Sequence, residues 1–426
     1  MTAGVFVFSL LGAMALGMPI AFALLVCAVA LMMLQGQVDT TILSQKIIEG
    51  ADSFPLLAIP FFMLAGELMN AGGISKRIVN FALAFVGHIR GGLGIVAILA
   101  AVIMAAISGS AAADAAALAT MLIPMMRQAG YNIPRSAGLI SAGGVIAPVL
   151  PPSIGMIIFG VVANVSIGKL FMAAIVPGLL MGVSLLIAWT IVARKDKVAV
   201  LPRMPMRERA KVAVNSIWAL VMPVGIVGGM KFGIFTPTEA AVAAAVYAFV
   251  VGMFVYRELK WNAIYPLIVS AAKTTAVVVF LIACALVSGW LITASDIPQQ
   301  VSELLQPFVD SPILLMAIMM ILVVIVGTAL DFAPTLLILT PVLMPLVREA
   351  GIDPVYFGVL FIMNNAIGLI TPPVGIVLNV VCGTAKLRMG ELMKGIMPFL
   401  IAEIAVLFLL VLFPSIVLVP LRWLTG

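Results

Sequence analysis

Residues 141–155 read Ser-Ala-Gly-Gly-Val-Ile-Ala-Pro-Val-Leu-Pro-Pro-Ser-Ile-Gly and lie inside an apolar segment, 137–165, long enough to cross a bilayer. Pro148, Pro151 and Pro152 disfavour a continuous helix, because proline removes backbone donors and clashes with the preceding turn. Unwound backbone at membrane depth is costly unless it is buried in protein or lines a polar cavity. The stretch therefore predicts a broken transmembrane helix.

A second stretch resembles the first. Residues 364–375 read Asn-Asn-Ala-Ile-Gly-Leu-Ile-Thr-Pro-Pro-Val-Gly. The same spacing of 221 residues relates three pairs of features: Pro151-Pro152 and Pro372-Pro373, Pro124 and Pro345, and Pro177 and Pro398. Two interrupted spans at corresponding places in two halves of a chain point to the binding site of a transporter.

Composition indicates the class of protein. Of the 426 residues, 64% are hydrophobic and only 9% are charged, whereas soluble domains carry about 25% charged residues. The sequence thus predicts an all-α polytopic membrane protein. Its basic residues stand in short loops between apolar runs, which does not suggest nucleic acid. His88 is the only histidine, and the three cysteines lack metal-ligand spacing, so neither an enzyme nor a metal centre of the zinc type is predicted.

Two further apolar segments are interrupted by polar residues and predict re-entrant hairpins. The first breaks at Ser108-Gly109-Ser110 and the second at 327–334. The predicted organisation is scaffold helices at 1–90, a transport unit at 91–165 with hairpin 91–126 and broken helix 137–165, a connecting helix and basic loop at 166–215, scaffold helices at 216–310, a transport unit at 311–383 with hairpin 313–347 and broken helix 355–381, and a C-terminal helix at 384–426.

Several finer expectations follow from polarity. Residues 261–273 are expected to lie in the membrane interface, before a separate span at 274–293. The last span is expected at 395–420. Glu67, Glu239 and Glu403 lie in apolar surroundings, and each is expected in a salt bridge or at the interface.

Charge also predicts the orientation. If the basic segment 194–211 is cytoplasmic, 18 of the 23 Lys and Arg residues are inside, as the positive-inside rule requires. The five outside are Lys46, Lys169, Lys231, Arg348 and Arg422. Both termini are then periplasmic and the two halves are inverted repeats.

The first hairpin tip carries candidate ligands. Ser108, Gly109 and Ser110 offer hydroxyls, carbonyls and helix N-terminal amides to an ion or an anionic substrate, and Asp114 adds an intramembrane acid. The alternative is that these small residues only permit close helix packing.

The second tip differs in charge. Asp331, beside Thr328, suits a hard cation such as sodium or could carry a proton; the alternative is that it caps a helix. Unwound carbonyls at 143–148 and 368–371 are candidate cation ligands; the alternative is proline kinks held by neighbouring helices. Side-chain oxygens are added by Asn364, Asn365 and Thr371.

These motifs resemble the large membrane subunit of a tripartite ATP-independent periplasmic (TRAP) transporter and, more broadly, the elevator-type ion transporters that include divalent anion–sodium symporters. The resemblance covers nearly the whole chain. It rests on the two tips, the two proline breaks and the run Ile-Pro-Phe-Phe-Met-Leu-Ala-Gly-Glu-Leu-Met at 59–69.

The resemblance implies a function and its partners. A sodium gradient drives transport across the bacterial inner membrane, a soluble periplasmic protein delivers an organic acid, and a small membrane subunit is a separate chain. Sodium is then the coupling ion, and no organic cofactor is expected. One sodium site is implied at Ser108, Ser110, Gly143, Val145 and Pro148. A second is implied at Gly327, Thr328, Asp331, Gly368, Ile370 and Thr371.

Two hairpins paired with two breaks suggest an elevator, in which both transport units slide against the scaffold. A carboxylate substrate is expected between the tips, at Ser108, Gly109, Ser110, Asp114, Pro151, Pro152, Asn365, Pro372 and Pro373. Sialic acid, C4-dicarboxylates, sugar acids and keto acids all remain open. The alternative functions are a stand-alone sodium- or proton-coupled anion symporter, an intramembrane enzyme and a structural scaffold.

Overall fold

The computed structural model describes residues 2–36, 38–194 and 201–425, and within them it contains helices but no strand. The helices of the first half are α1 (Thr2–Ala15), α2 (Ile20–Leu34), α3 (Thr40–Ala51), α4 (Ala58–Ala71), α5 (Ile74–Val86), α6 (Gly92–Ser108), α7 (Ala111–Gln128), α8 (Ile133–Gly144), α9 (Ile154–Ala163) and α10 (Ile167–Ala193). Those of the second half are α11 (Met206–Lys231), α12 (Pro237–Val250), α13 (Trp261–Ala294), α14 (Ile297–Val309), α15 (Pro312–Ala329), α16 (Phe332–Glu349), α17 (Pro354–Gly368), α18 (Ile376–Ala385), α19 (Met389–Leu412) and α20 (Ser415–Thr425).

The chain is a multi-pass membrane protein. Seven helical segments among the described residues are long and apolar enough to cross a membrane, the longest of them α13. Shorter apolar helices, including α6, α9, α17 and α18, occur where the sequence predicts hairpin limbs and broken spans. The predicted all-α membrane fold is therefore confirmed, whereas the inverted repeat stays a prediction.

The helices pack in two groups. In one group α4 packs against α12, α2 and α3 against α13, and α5 against α11. In the other, α7 packs against α8 and α18, α8 against α19, α9 against α16, and α15 against α17. The helices α10 and α19, which the predicted division placed outside the transport units, also pack within this second group. The groups meet mainly where α5 contacts α6 and α13 contacts α16.

Three predicted boundaries are wrong. Residues 261–273 and 274–293 form one helix, α13, which continues through Pro266, and the exposed Lys273 can extend toward the interface. The last span, predicted at 395–420, ends early, because α19 stops at Leu412. A residue that precedes a proline disfavours helix, so the chain leaves the helix before Pro414 and a new helix, α20, begins at Ser415. The basic loop also ends early, since α11 starts at Met206. Lys195 and Lys197 of that loop lie outside the described residues.

Within the described part of the chain, Glu67, Glu239 and Glu403 form no salt bridge. The salt bridges Lys46–Glu49 and Arg77–Glu258 involve other acids. Glu67 instead accepts a hydrogen bond of 2.9 Å from the Ser270 hydroxyl. Glu239 closes a capping box at the start of α12, and Glu403 is fully buried in α19, where neither carboxyl oxygen has a partner in the described part of the chain.

Candidate functional site

The first tip is the turn between α6 and α7. Gly109 ends α6 with a φ of 63°, a left-handed conformation that glycine adopts without a steric penalty. Ser110 then caps α7, its hydroxyl accepting a hydrogen bond from the Ala113 amide at 3.5 Å. A Cβ added to Gly109 would lie 3.1 Å from the Pro152 carbonyl oxygen, so this tip rests on the first break.

The first break spans 145–153, between α8 and α9, and every residue in it is buried. The Ser153 hydroxyl donates to the Pro148 carbonyl oxygen and accepts from the Met156 amide, so it closes the break and caps α9. Gly144 brings α8 against the hairpin: a Cβ there would lie 2.9 Å from the Ala111 carbonyl oxygen. The glycine is therefore required by this close approach.

The second tip is built differently. Asp331 caps α16, with its Oδ1 accepting a hydrogen bond of 2.7 Å from the Phe332 amide. The Thr335 hydroxyl donates to the Asp331 carbonyl oxygen at 2.9 Å. Asp331 therefore has the capping role that the sequence allowed.

The second break joins α17 to α18. The Asn365 side chain links it to the second tip, because Nδ2 donates to the Phe332 carbonyl oxygen at 2.6 Å. A Cβ on Gly368 would lie 3.0 Å from the Gly327 carbonyl oxygen, so these two glycines also bring tip and break together. The Thr371 hydroxyl donates to the Ile367 carbonyl oxygen at 2.9 Å, which stabilises the end of α17.

The two tips meet at one cavity of about 250 Å³. A Cβ on Gly155, at the start of α9, would lie 2.6 Å from the Phe332 ring, so the first break directly contacts the second tip. The other group of helices contributes Met63 from α4 and Val278 from α13. The cavity therefore lies where the two groups of helices face each other.

The structure brings part of the predicted set to the cavity wall. Four predicted residues line it: Gly109, Ser110, Pro148 and Asp331. The others do not: Ser108, Asp114, Gly143, Val145, Pro151, Pro152, Gly327, Thr328, Asn365, Gly368, Ile370, Thr371, Pro372 and Pro373. Pro151 and Pro152 are buried, whereas Pro372 and Pro373 are exposed, so equivalent sequence positions have different surroundings.

Sequence reasoning missed the apolar part of the wall. Ile154, Gly155 and Phe332 line the cavity, and so do Ile376 and Val377 at the start of α18. Phe332 directly follows Asp331, and Gly155 is the last residue of the proline-containing segment 141–155. Both residues therefore adjoin or belong to the predicted motifs. In a chain this apolar, however, an apolar residue carries no sequence signal that marks it as part of a binding site.

The polar part of the wall consists of Ser110, Asp331 and backbone groups, and no Lys, Arg or His is among the described residues that line it. Buried oxygens stand just behind the wall. Both carboxyl oxygens of Asp114 lack a hydrogen-bond partner in the described part of the chain, although the Ser108 hydroxyl lies nearby. The side-chain oxygens of Asn364 and Asn365 are likewise buried and unpartnered there.

Buried oxygens without donors are the ligands that a hard cation takes. The predicted residues therefore fit sodium best around Asn365, whose Oδ1 lies beside Gly327. Around the first tip, Asp114 supplies the unpartnered oxygens, and the carbonyls of Gly143 and Pro148 already accept hydrogen bonds from Ile146 and Ser153. Within the described residues, no three His, Cys, Asp or Glu side chains cluster as they would at a transition-metal site.

Comparison with known proteins gives a consistent result. A family model described as "Tripartite ATP-independent periplasmic transporter, DctM component" matches residues 7–416. The chain is 52% identical over 419 residues to the 2,3-diketo-L-gulonate TRAP transporter large permease protein YiaN of Escherichia coli K12, which covers 98% of this chain and 99% of that protein. It is 38% identical over 412 residues to the sialic acid TRAP transporter large permease protein SiaM of Vibrio cholerae, with 97% and 96% covered.

Among solved structures, the YdaH transporter of Alcanivorax borkumensis is similar with a TM-score of 0.65 and 14% sequence identity. The similarity covers 91% of this chain and 89% of that one. At this identity the likeness concerns the fold alone.

Proposed function

The chain belongs to the DctM family, the large permease subunits of TRAP transporters, and we propose that it carries an organic acid across the bacterial inner membrane by coupling to a sodium gradient. Members of this family are transport permeases rather than enzymes. One observation carries the proposal: two tips from distant parts of the chain, each resting on a helix break, meet at one cavity between two groups of helices.

An anionic substrate in this cavity would have to be held without a basic side chain, because no Lys, Arg or His is among the described residues that line it. Bringing a carboxylate into the membrane without compensation is expensive. The wall includes Ala111 and Ala112 at the start of α7 and Ala333 at the start of α16, whose amides, with the Ser110 hydroxyl, are the donors for such a substrate. A bound sodium ion would supply the missing positive charge, and the unpartnered oxygens of Asp114 and Asn365 support its binding behind the two tips.

The substrate class follows from the size of the cavity and from the relatives. About 250 Å³ is smaller than most small-molecule pockets, which span about 300–1,000 Å³. The relative at 52% identity is named for 2,3-diketo-L-gulonate. The small cavity disfavours sialic acid, and the C4-dicarboxylate large permease protein DctM of Pseudomonas aeruginosa is only 37% identical. We therefore expect a sugar acid or keto acid, ahead of sialic acid and C4-dicarboxylates.

The proposed mechanism is an elevator. The group that holds both tips and both breaks would slide as a unit against the group that holds α4 and α13. Met63 and Val278 form the scaffold side of the cavity, so relative movement there would open the cavity to one side of the membrane at a time. Termini on the periplasmic side, a delivering periplasmic protein and a separate small membrane subunit complete the proposal.

The test is uptake of labelled substrate into proteoliposomes that contain this chain and a co-expressed small subunit. An inward sodium gradient is imposed, with or without the purified binding protein. Uptake should require both. Uptake that needs sodium but ignores the binding protein would instead make the chain a stand-alone symporter.

Matched variants locate the ion. Asp331→Asn should raise the sodium concentration needed for half-maximal uptake. The control is Asp353→Asn, since Asp353 also caps a helix, α17, but lies away from the cavity. If the two variants need the same sodium concentration for half-maximal uptake, Asp331 is not part of the ion site.

A further inference from the structure

Arg127 and Arg348 stand at equivalent places in the two halves of the chain. Each lies in the last turn of the second limb of a hairpin, α7 or α16, three residues after a proline of the same helix. The two arginines are 221 residues apart, which is the spacing that relates the other repeated features of the sequence. The proposed transport mechanism gives neither of them a role.

Each arginine donates to the last carbonyl of a short helix that follows a break. Nη2 of Arg127 donates to the Ala385 carbonyl oxygen at 2.9 Å, at the end of α18. Nη2 of Arg348 donates to the Ala163 carbonyl oxygen at 3.1 Å, at the end of α9. The last carbonyls of a helix have no intrahelical donor, and both alanines are buried. The arginines therefore supply donors where buried backbone needs them.

The two contacts cross between the halves of the chain. The first hairpin holds the helix after the second break, and the second hairpin holds the helix after the first break. Helix packing follows the same exchange, because α7 lies against α18 and α16 lies against α9. A positive charge at a helix C-terminus is also stabilised by the helix dipole. Each arginine thus links a hairpin to the break of the opposite half.

Both short helices line the cavity at their starts. α9 contributes Ile154, Gly155 and Ile158, and α18 contributes Ile376 and Val377. Each helix has 10 residues and is about 15 Å long, so a tilt at its far end also displaces the residues at the cavity. The chain turns directly after each far end, where Asn164 and Lys386 have left-handed φ values of 54° and 55°. Because the helices end here, side-chain contacts such as those of the arginines hold the far ends.

We propose that Arg127 and Arg348 are positioning residues, which hold α18 and α9 against the hairpins and so fix the wall of the cavity. Neither arginine lines the cavity itself. Membrane topology does not account for the pair, because the orientation predicted from charge places Arg348 on the periplasmic side, against the positive-inside bias. The effect on substrate binding rests on the proposed transport function, whereas the effect on the two helices does not.

The first experiment is hydrogen–deuterium exchange of the full chain in detergent, read by mass spectrometry. Arg127→Gln should speed amide exchange at the end of α18 on the order of fivefold, the loss expected when a charge leaves a helix terminus, and should leave α9 unchanged. Arg348→Gln should do the reverse. Arg127→Lys and Arg348→Lys keep a charged donor and should keep most of the protection.

Arg422→Gln is the matched control for both variants. Arg422 is also an exposed arginine in the last turn of a helix, but that helix, α20, packs against α10 and lies outside both contacts. The substitution makes the same change of charge and should alter exchange in neither α9 nor α18.

The second experiment is uptake by the same variants in proteoliposomes. Arg127→Gln and Arg348→Gln should raise the substrate concentration needed for half-maximal uptake on the order of fivefold, while the maximal rate changes less, because a displaced wall weakens binding. The lysine variants should restore the wild-type value.

Three results would overturn the proposal. The first is faster exchange that is spread evenly over the protein, or that appears in the helix of the same half. The second is an equal effect of Arg422→Gln. The third is a local rise in exchange with an unchanged half-maximal substrate concentration, which would make the arginines structural only. Exchange needs no transport, so an absence of sodium-driven uptake by the wild type would refute the proposed function and leave the two links to be tested by exchange.

Discussion

Gly144 is the position at which the contact between a break and a hairpin can be tested most directly. A Cβ there would lie 2.8 Å from the Ala115 Cβ and 2.9 Å from the Ala111 carbonyl oxygen. Ordinary Cβ contacts begin near 3.4 Å, so α7 and α8 would have to separate by about 0.6 Å. Overpacking of this kind costs about 1–3 kcal/mol, from which about 0.5–1 kcal/mol is recovered because alanine favours helix over glycine.

Gly144→Ala is therefore expected to lower the thermal stability of the protein. Gly383→Ala is the matched control: Gly383 is exposed in α18, and nothing lies within 4 Å of its added Cβ. The control should be neutral or stabilising, so the two variants should differ by roughly 1–3 kcal/mol. The measurement is the melting temperature of each purified variant, by tryptophan fluorescence in the same detergent.

Uptake supplies the second readout. Displacing α8 from the hairpin also displaces the first break from the first tip, so Gly144→Ala should reduce transport while Gly383→Ala should not. If both variants melt at the same temperature and transport equally well, the close approach of α7 and α8 is wrong.

Two other positions yield separate expectations. Glu403→Leu should raise the melting temperature, because it removes two buried oxygens without described partners, each costing about 1–3 kcal/mol; a lower melting temperature would show that this carboxyl has a partner. At Asp39, hydrogen bonds from the amides of Thr41 and Ile42 lower the pKa of the carboxyl. Its contribution to stability is therefore present above the unfolded pKa of about 3.9 and is lost as the pH falls through the lower folded pKa. The melting-temperature difference between wild type and Asp39→Ala should shrink below about pH 4, and a constant difference would contradict the cap.

The sequence predicted the hairpin limbs closely because their signals are local. The two serines and the glycine at 108–110 do not continue a helix efficiently, and α6 ends at Ser108 while α7 begins at Ala111. The segment 261–293 failed for the opposite reason. Polar residues suggest an interface by composition, but neither they nor Pro266 end the helix, which runs unbroken from Trp261 to Ala294.

By itself, the sequence determined the membrane class, the places where helices break and the identity of Ser110 and Asp331 as polar groups at the tips. These follow from local chemistry: apolar length, proline and capping side chains. Which oxygens face the cavity was decided only by the tertiary structure. Asp331 reaches the wall while Asp114 and Asn365 remain behind it, because close glycine contacts such as that of Gly327 with Gly368 set how deeply each break packs against its tip. Contacts between residues far apart in the chain leave no periodic signal in either segment alone.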